Sequence, residues 1–216
     1  MSEEQVAASD LACVRAERLV FIRLSFRLGP GEALILRGPN GSGKSSLLRL
    51  LAGLARPEAG EITWGGSSIR EDPAAHRARL HFIGHQDALK PVLEVGEMLE
   101  FWAGMRGNAG GVDAALAHFR LSRHRHLPCR LLSAGERKRL ALARLVATPA
   151  ELWLLDEPAT SLDAAAEDDL MRAIAAHRAA GGRLVVASHD PLAMADAATL
   201  ALDDYAPKPR VRPVAA

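Results

Sequence analysis

The sequence predicts an α/β domain built on a mostly parallel sheet. A glycine-rich loop at residues 38–45 separates an apolar run at 33–36 from a helical pattern at 45–52. Downstream, residues 152–155 and 183–187 form largely apolar runs, which are typical of strands buried on both faces of a sheet. Helical patterns separate these strands, so we expect the strands to run side by side in the same direction.

The other elements follow from shorter patterns along the chain. Residues 19–28 partly alternate between apolar and polar side chains and predict a strand that ends at the turn Gly29-Pro30-Gly31. Gly53 is the predicted stop of the helix at 45–52. The remaining predicted elements are strands at 61–64 and 80–84, a helical insert over about 88–148 that ends in a helix at 134–147, an alanine-rich helix at 164–180 and an irregular tail at 206–216.

Length and composition limit the functions that this chain can have. With 216 residues, 49% of them hydrophobic, the chain suits one globular domain with a substantial core. A net charge of +1 gives no overall field that would recruit nucleic acid. Cys13 and Cys129 lie far apart in sequence, which suits a reducing cytosol rather than a disulfide framework. The acidic N-terminus predicts no signal peptide, and no apolar run approaches the ~18 residues that span a bilayer, so a membrane role would need a partner.

Residues 38–45 read GPNGSGKS and match the phosphate-binding pattern G-x-x-x-x-G-K-[ST]. Glycines let the backbone N–H groups point inward, and the start of the next helix adds further donors for an anion. We expect Lys44 to reach the β- and γ-phosphates of a nucleotide and the Ser45 hydroxyl to ligate Mg²⁺. The predicted nucleotide-binding residues of this segment are Gly38, Pro39, Asn40, Gly41, Ser42, Gly43, Lys44, Ser45 and Ser46.

Two carboxylates follow the apolar run at 152–155. Asp156 is a candidate Mg²⁺ ligand, and Glu157 is a candidate catalytic residue that orients and polarises an attacking water. In isolation, two acidic residues after a strand belong to a solvated loop. Because a phosphate-binding loop lies upstream, we favour hydrolysis of a nucleoside triphosphate with bound Mg²⁺.

Four further motifs accompany the loop and the carboxylates in a fixed order. Gln86 follows the strand at 80–84, LSAGE occupies residues 132–136, Ser161-Leu162-Asp163 follows the carboxylates, and His189 follows the strand at 183–187. Over residues 11–203, this set resembles the ATP-binding subunits of ABC transporters. The resemblance implies a single ABC ATP-binding domain at 1–216: a P-loop NTPase core with a mostly parallel sheet, an antiparallel β subdomain and a small helical insert. It also implies ATP and Mg²⁺ as ligands.

The resemblance implies a role for each added motif. Gln86 would ligate Mg²⁺, sense the attacking water and connect the site to a membrane partner. His189 would contact the γ-phosphate as a further catalytic residue. Ser133 and Gly135 would bind the γ-phosphate held by the loop of a second copy, which implies a homodimer on ATP binding. Asp163 would cross the interface of that dimer.

Three positions keep alternatives open. Glu136 replaces the usual glutamine of LSGGQ, and a carboxylate near a triphosphate is repulsive unless the basic residues 137–139 offset it. Ser133 and Glu136 also have the spacing of a capping box, and in that case Glu136 matters little to hydrolysis. Arg15 occupies the position where the family usually places an aromatic residue against adenine, so it either stacks on the base or is a surface charge. Asp163 can equally cap the helix at 164–180.

Three stretches of the sequence resemble one group of proteins within this family. They are HFIGHQ at 81–86 followed by Leu89-Lys90, LLSAGERKRLALARL at 131–145, and WLLDEPATSLD at 153–163. Together they look like the ATP-binding subunits of bacterial haem exporters that serve cytochrome c maturation, with other small ABC exporters as the alternative. This resemblance implies a peripheral protein at the cytoplasmic face of the inner membrane, bound to an integral permease subunit, with no nucleic acid as partner. ATP hydrolysis would then drive release of a haem-loaded periplasmic chaperone.

Two other classes of protein fit less well. A soluble ABC ATPase acting on DNA or ribosomes usually has a coiled-coil insertion or two ATPase cassettes, and this sequence has neither. A nucleotide-binding scaffold without hydrolysis conflicts with Glu157. His124, His126 and Cys129 could hold a metal or haem, but their spacing matches no standard site. A solvated face or a partner surface is the favoured interpretation of that segment.

Overall fold

The computed structural model describes residues 5–107, 110–188, 194 and 196–207. The strands in this part of the chain are β1 (Val6–Arg15), β2 (Arg18–Leu28), β3 (Ala33–Arg37), β4 (Ala59–Trp64), β5 (Ser67–Ser68), β6 (Leu80–Ile83), β7 (Leu152–Asp156), β8 (Arg183–Ala187) and β9 (Ala198–Ala201). The α-helices are α1 (Lys44–Leu51), α2 (Pro73–Ala78), α3 (Val95–Gly104), α4 (Val112–His118), α5 (Ala134–Ala147) and α6 (Ala164–Ala179). Short 3₁₀ helices cover Ser122–His124, Cys129–Leu131 and Leu202–Tyr205.

A parallel sheet forms the centre of the protein. Its five strands lie in the order β6-β7-β8-β3-β9, and every neighbouring pair is parallel. The side chains of β7 and β8 are buried along their whole length, because α-helices or a second sheet cover both faces. The predicted parallel sheet is therefore confirmed, and the strand predicted at 183–187 has the predicted bounds.

A second, antiparallel sheet has the order β2-β1-β4-β5. The expected antiparallel β subdomain is confirmed. The sequence patterns predicted β2 and β4 but not β1, in which small and polar residues interrupt the apolar ones and the pairing with β2 shifts register in three places. Asp10 lies at one irregular point with φ of 50°, and its amide donates to Ser25 Oγ on β2 at 2.8 Å.

Alternate side chains of the parallel sheet enter two separate cores. Trp153 and Leu155 of β7 pack with α3, α4, α5 and α6, whereas Leu152 and Leu154 pack with α1 and the antiparallel sheet. This division follows from the strand geometry, since successive side chains point to opposite faces. Because the strands are parallel, the loops that follow their carboxyl ends meet at one edge of the sheet and can build a site there.

The helices between β6 and β7 occupy the region of the predicted helical insert. The final helix of this region, α5, has the predicted bounds of 134–147, and α6 ends at Ala179, one residue before the predicted end. The insert's limits at about 88 and 148, and the organisation of 1–216 as a single domain, stay predictions. Residues 208–216 of the predicted irregular tail lie outside the described part of the chain.

Candidate active site

The glycine-rich loop connects β3 to α1 at the carboxyl end of the parallel sheet. Gly43 precedes α1 with φ of 104°, and a Cβ atom on it would lie 2.5 Å from Cγ1 of Val20. Gly38 has φ of 144°, and its Cβ would lie 2.6 Å from Ser42 Oγ. A side chain at either glycine would therefore be strained and would collide with a neighbour, so the path of the loop depends on both.

The start of α1 fits a phosphate chain. Its first turn carries no acidic residue and no side-chain cap, and the start of a helix favours an anion. Ser42 Oγ is buried without a hydrogen-bond partner among the described residues, and a phosphate oxygen could satisfy it. Lys44 Nζ donates to the carbonyls of Gly38 at 2.6 Å and Pro39 at 3.3 Å, which holds the ammonium over the loop.

Asp156 and Glu157, at the carboxyl end of β7, share one cavity of about 880 Å³ with the loop. Asp156 is buried. Glu157 has φ of 49°, a left-handed conformation that residues other than glycine rarely adopt, and its amide donates to the carbonyl of Ala187 on β8 at 2.9 Å. Strain of this kind is common in active sites, where the surrounding structure holds it in place. The predicted residues that line the cavity are Arg15, Pro39, Asn40, Gly41, Gly43, Lys44, Ser45, Ser46, Asp156 and Glu157.

The residues present fit a Mg²⁺ ion bound together with a nucleotide. Ser45 and Asp156, which carry a hydroxyl and a carboxylate, both line this cavity, and Mg²⁺ prefers oxygen ligands. Among the residues described, no group of three or more His, Cys, Asp or Glu side chains could hold a metal by itself. An ion here would therefore take its other ligands from phosphate oxygens and water, which is the usual arrangement for Mg²⁺ in proteins.

A tight hairpin closes the other end of the cavity. Arg15 and Arg18 pair across the end of β1 and β2, and both line the cavity. The two residues between them, Ala16 and Glu17, have φ of 47° and 62°, as in a type I′ turn. No Phe, Tyr or Trp side chain lines this cavity within the described residues, so at this end the two guanidinium groups are the planar groups available to a base.

Sequence reasoning missed three polar residues of the cavity wall, Arg18, His85 and Thr160, and three apolar ones, Ala16, Leu19 and Val20. His85 is the neighbour of the predicted Gln86; both residues are exposed, and of the two His85 lines the cavity. The sequence signal for His85 was present, because the segment after a parallel strand runs along the same edge as the loop. Sequence reasoning alone could not decide which of the two adjacent residues lines the cavity.

Ser133, Gly135 and Asp163 are not part of the cavity wall. Ser133 caps α5, and its hydroxyl accepts a hydrogen bond from the amide of Glu136 at 3.2 Å. Asp163 caps α6 by accepting from the amide of Ala166 at 2.8 Å. A Cβ on Gly135 would lie 2.9 Å from the carbonyl oxygen of Ser161, so the LSAGE segment and the Ser161–Asp163 turn are in close contact.

Glu136 completes the capping box of α5. Its Oε2 accepts from the amide of Ser133 at 2.8 Å, and its Oε1 lies 3.2 Å from His124 Nε2 and 4.0 Å from the Arg139 guanidinium. These contacts, the Ser133 amide first, hold the pKa of the carboxyl below its usual range. Both oxygens of the carboxylate are thus engaged within the chain.

The remaining candidates fall outside this site. His189 lies outside the described residues. His126 pairs with Glu94 at 3.0 Å, and Cys129 is buried, where burial raises the pKa of its thiol. His124 lies beside Glu136, so the three candidate metal ligands each have a different environment.

The sequence matches a known protein family. The family described as "ABC transporter" matches residues 21–160, well over half of the chain. This chain belongs to the ABC transporter family. As a member, it carries an ABC ATP-binding domain and is an ATPase. Within the described residues, no helix of this ABC ATPase is both long and apolar enough to cross a membrane.

Curated relatives and solved structures agree with this assignment. A protein of Rhodospirillum rubrum named "Cytochrome c biogenesis ATP-binding export protein CcmA" is 56% identical over 205 residues, covering 94% of this chain and 88% of the relative. The protein of the same name from Paramagnetospirillum magneticum is 52% identical over 211 residues, covering 95% and 97%. A putative ABC transporter ATP-binding protein from Pyrococcus furiosus shares the fold, with a TM-score of 0.83 at 22% identity over 94% of this chain and 100% of that chain.

Proposed function

We propose that this ABC ATPase is the ATP-hydrolysing subunit of an export complex that serves haem delivery in cytochrome c maturation. One observation carries the chemistry: the phosphate-binding loop and the carboxylates Asp156 and Glu157 line a single cavity. Relatives 52% and 56% identical over nearly the whole chain, named as cytochrome c biogenesis export proteins, support the biological role.

The phosphate-binding loop and the two carboxylates have distinct parts in hydrolysis. The loop amides and Lys44 bind the phosphates, and Ser45 and Asp156 would hold Mg²⁺, which neutralises charge on the transferred phosphoryl group. Glu157, fixed by its strained backbone and its bond to β8, orients the attacking water and polarises it. Gln86 and His189 complete the proposed catalytic set.

Assembly completes the site. Ser133 and Gly135 lie apart from the cavity of their own chain, so we assign them to the γ-phosphate of a second copy, with Asp163 beside the interface. Such an interface is isologous and produces a closed homodimer on ATP binding. We place this dimer at the cytoplasmic face of the inner membrane, on an integral permease subunit, with no nucleic acid as partner.

The catalytic assignment is tested by Glu157→Gln. We expect ATP affinity within about twofold of wild type and turnover reduced at least ~100-fold, because the amide cannot serve the water as the carboxylate does. Glu58→Gln, an exposed carboxylate outside the cavity, is the matched control. ATP binding and phosphate release are measured on the chain assembled with its membrane partner. Wild-type turnover in Glu157→Gln would contradict the assignment.

The biological role is tested in a bacterium that lacks the gene. Wild-type protein should restore covalent haem attachment to c-type cytochromes, and Glu157→Gln should not. The tagged wild-type chain should copurify from membranes with an integral protein. Normal cytochrome c in the deletion strain would refute the role in maturation while leaving the ATPase assignment intact.

A further inference from the structure

The free edge of β6 is covered by two arginines from the helical insert. Among the described strands, β6 pairs with β7 alone and forms one edge of the parallel sheet. Arg106, just after α3, donates through Nη1 to the carbonyl of Ala78 at 2.9 Å and through Nη2 to the carbonyl of Leu80. Arg144 of α5 donates through Nη2 to the carbonyl of Phe82.

Two of these carbonyls, those of Leu80 and Phe82, belong to β6, and that of Ala78 belongs to the last residue of α2. The carbonyl of Arg79, between α2 and β6, accepts from the amides of Glu151 at 2.7 Å and Leu152 at 3.2 Å. Leu80 and Phe82 are two residues apart, so their carbonyls lie on the same side of the strand. Arginine therefore replaces a neighbouring strand along the outer edge of β6, and the partner groups come from two different helices.

Apart from these carbonyls, few groups compensate the positive charges of Arg106 and Arg144. Neither Arg106 nor Arg144 forms an ion pair with a carboxylate within the described part of the chain, and Nε of Arg144 is buried without a partner there. The Trp102 ring of α3 lies 5.3 Å from the Arg144 guanidinium. Burial, and then the charge of Arg106, lowers the pKa of Arg144 to about 10, so it stays charged at neutral pH. Separating β6 from the helices would leave partly buried charges without these acceptors, which is costly.

A second contact joins the same strand to the same helix. His81 of β6 is buried, and its Nε2 lies 3.0 Å from both the carbonyl oxygen and Oγ1 of Thr148, the residue that ends α5. β6 runs directly into Gly84, His85 and Gln86, and His85 lines the nucleotide cavity.

We infer that Arg106 and Arg144 are positioning residues that hold β6 to α3 and α5, so that a displacement of these helices moves His85, which lines the nucleotide cavity, together with the adjacent Gln86. This role rests on the proposed function, because Gln86 acts there on the water and Mg²⁺. The two guanidinium groups do not touch the nucleotide, and their effect is on geometry at the end of β6.

Arg106→Met removes both carbonyl contacts and keeps an apolar stem, whereas Arg106→Lys keeps a charged donor. Arg123→Met is the control, since Arg123 is exposed and makes no hydrogen bond or ion pair with the described chain. For Arg106→Met we expect about tenfold lower kcat per bound nucleotide with the Kd for ATP within about twofold, and partial recovery in Arg106→Lys. We also expect hydrogen exchange over residues 80–87 to rise about tenfold, while exchange in α1 stays unchanged.

The inference is overturned if Arg106→Met matches Arg123→Met both in kcat per bound nucleotide and in exchange over residues 80–87. It is also overturned if kcat and ATP affinity fall together, which indicates general loss of structure. If Arg106→Met fails to fold, Arg106→Lys tests the inference instead. Wild-type kcat and wild-type hydrogen exchange in Arg106→Lys would show that the contact of Arg106 with two carbonyls is unimportant. A wild-type complex without ATPase activity would refute the proposed function, and hydrogen exchange would still test the link.

Discussion

Replacing Glu136 by glutamine separates two physical explanations of the LSAGE segment. If the carboxylate repels a triphosphate across the dimer interface, its removal favours ATP binding, and an effective coupling of about 1 kcal/mol would raise kcat/KM roughly fivefold. In the structure, one oxygen of Glu136 accepts from the Ser133 amide, and the other lies 3.2 Å from His124. The carboxylate is thus engaged in the cap, and we expect kcat/KM of Glu136→Gln within about twofold of wild type.

The same variant has a predictable effect on stability. Glutamine keeps an oxygen for the Ser133 amide but loses the favourable charge at the start of α5, at a cost of about 0.5 kcal/mol. Glu136→Ala also loses the acceptor, and we expect about 1 kcal/mol more. Because the pKa of Glu136 is lowered in the folded protein, the contribution of its charge is present above the usual carboxyl pKa and disappears as the pH falls through the folded value. The difference between wild type and Glu136→Gln should therefore close in acid.

Two measurements decide between the explanations. Urea unfolding at neutral and acidic pH gives the stability difference, and steady-state ATP titration of the assembled complex gives kcat/KM. Glu167→Gln is the matched control, since Glu167 lies in the first turn of α6 without a capping contact. A fivefold or larger rise in kcat/KM for Glu136→Gln, absent from the control, would refute the capping argument.

Three further predictions follow from other parts of the structure. Lys44→Ala should weaken ATP binding at least ~10-fold with little loss of stability; calorimetry showing wild-type affinity would contradict the role of the loop. Glu157→Gln with ATP should form dimers by light scattering, and a strict monomer even with the membrane partner present would count against the shared site. Burial, and then Arg106, lowers the pKa of His81 from 6.5 to about 3, so stability should fall as the pH drops from 6.5 toward 3; an equal slope in His81→Gln would show that His81 is not the cause.

The elements that could be predicted from the sequence are those with a local physical signal. The loop at 38–45 needs glycine at fixed positions, and α5 has a capping box at its start and a long helical pattern, so both were placed correctly. The helix α2 was missed although Asp72 and Pro73 form an N-cap and first helical position. β9 has only four residues and was missed because its burial depends on pairing with β3, which is remote in sequence.

The candidate site also contains residues that the sequence predicts and residues that it does not. Lys44, Asp156 and Glu157 were brought to one cavity as the motifs predict, because parallel strands end at one edge of the sheet. That His85 lines the cavity and Gln86 does not depends on the path of the chain after β6, which no local pattern records. The arginine contacts on β6 join residues that are 26 and 62 positions apart, and sequence spacing gave no indication of them.

The position of Ser133 and Gly135 at the start of α5 also bears on how a second copy would bind. The capping box engages the amides of Ser133 and Glu136, but it does not use every donor at the start of α5, so an anion can still bind there. Gly135 lies so close to the carbonyl of Ser161 that the start of α5 and the turn before α6 present one continuous surface. In the dimer that we propose, we therefore expect a two-fold axis that brings Ser133 over the partner's loop to bring Asp163 to the interface as well, and two equivalent cavities to close together.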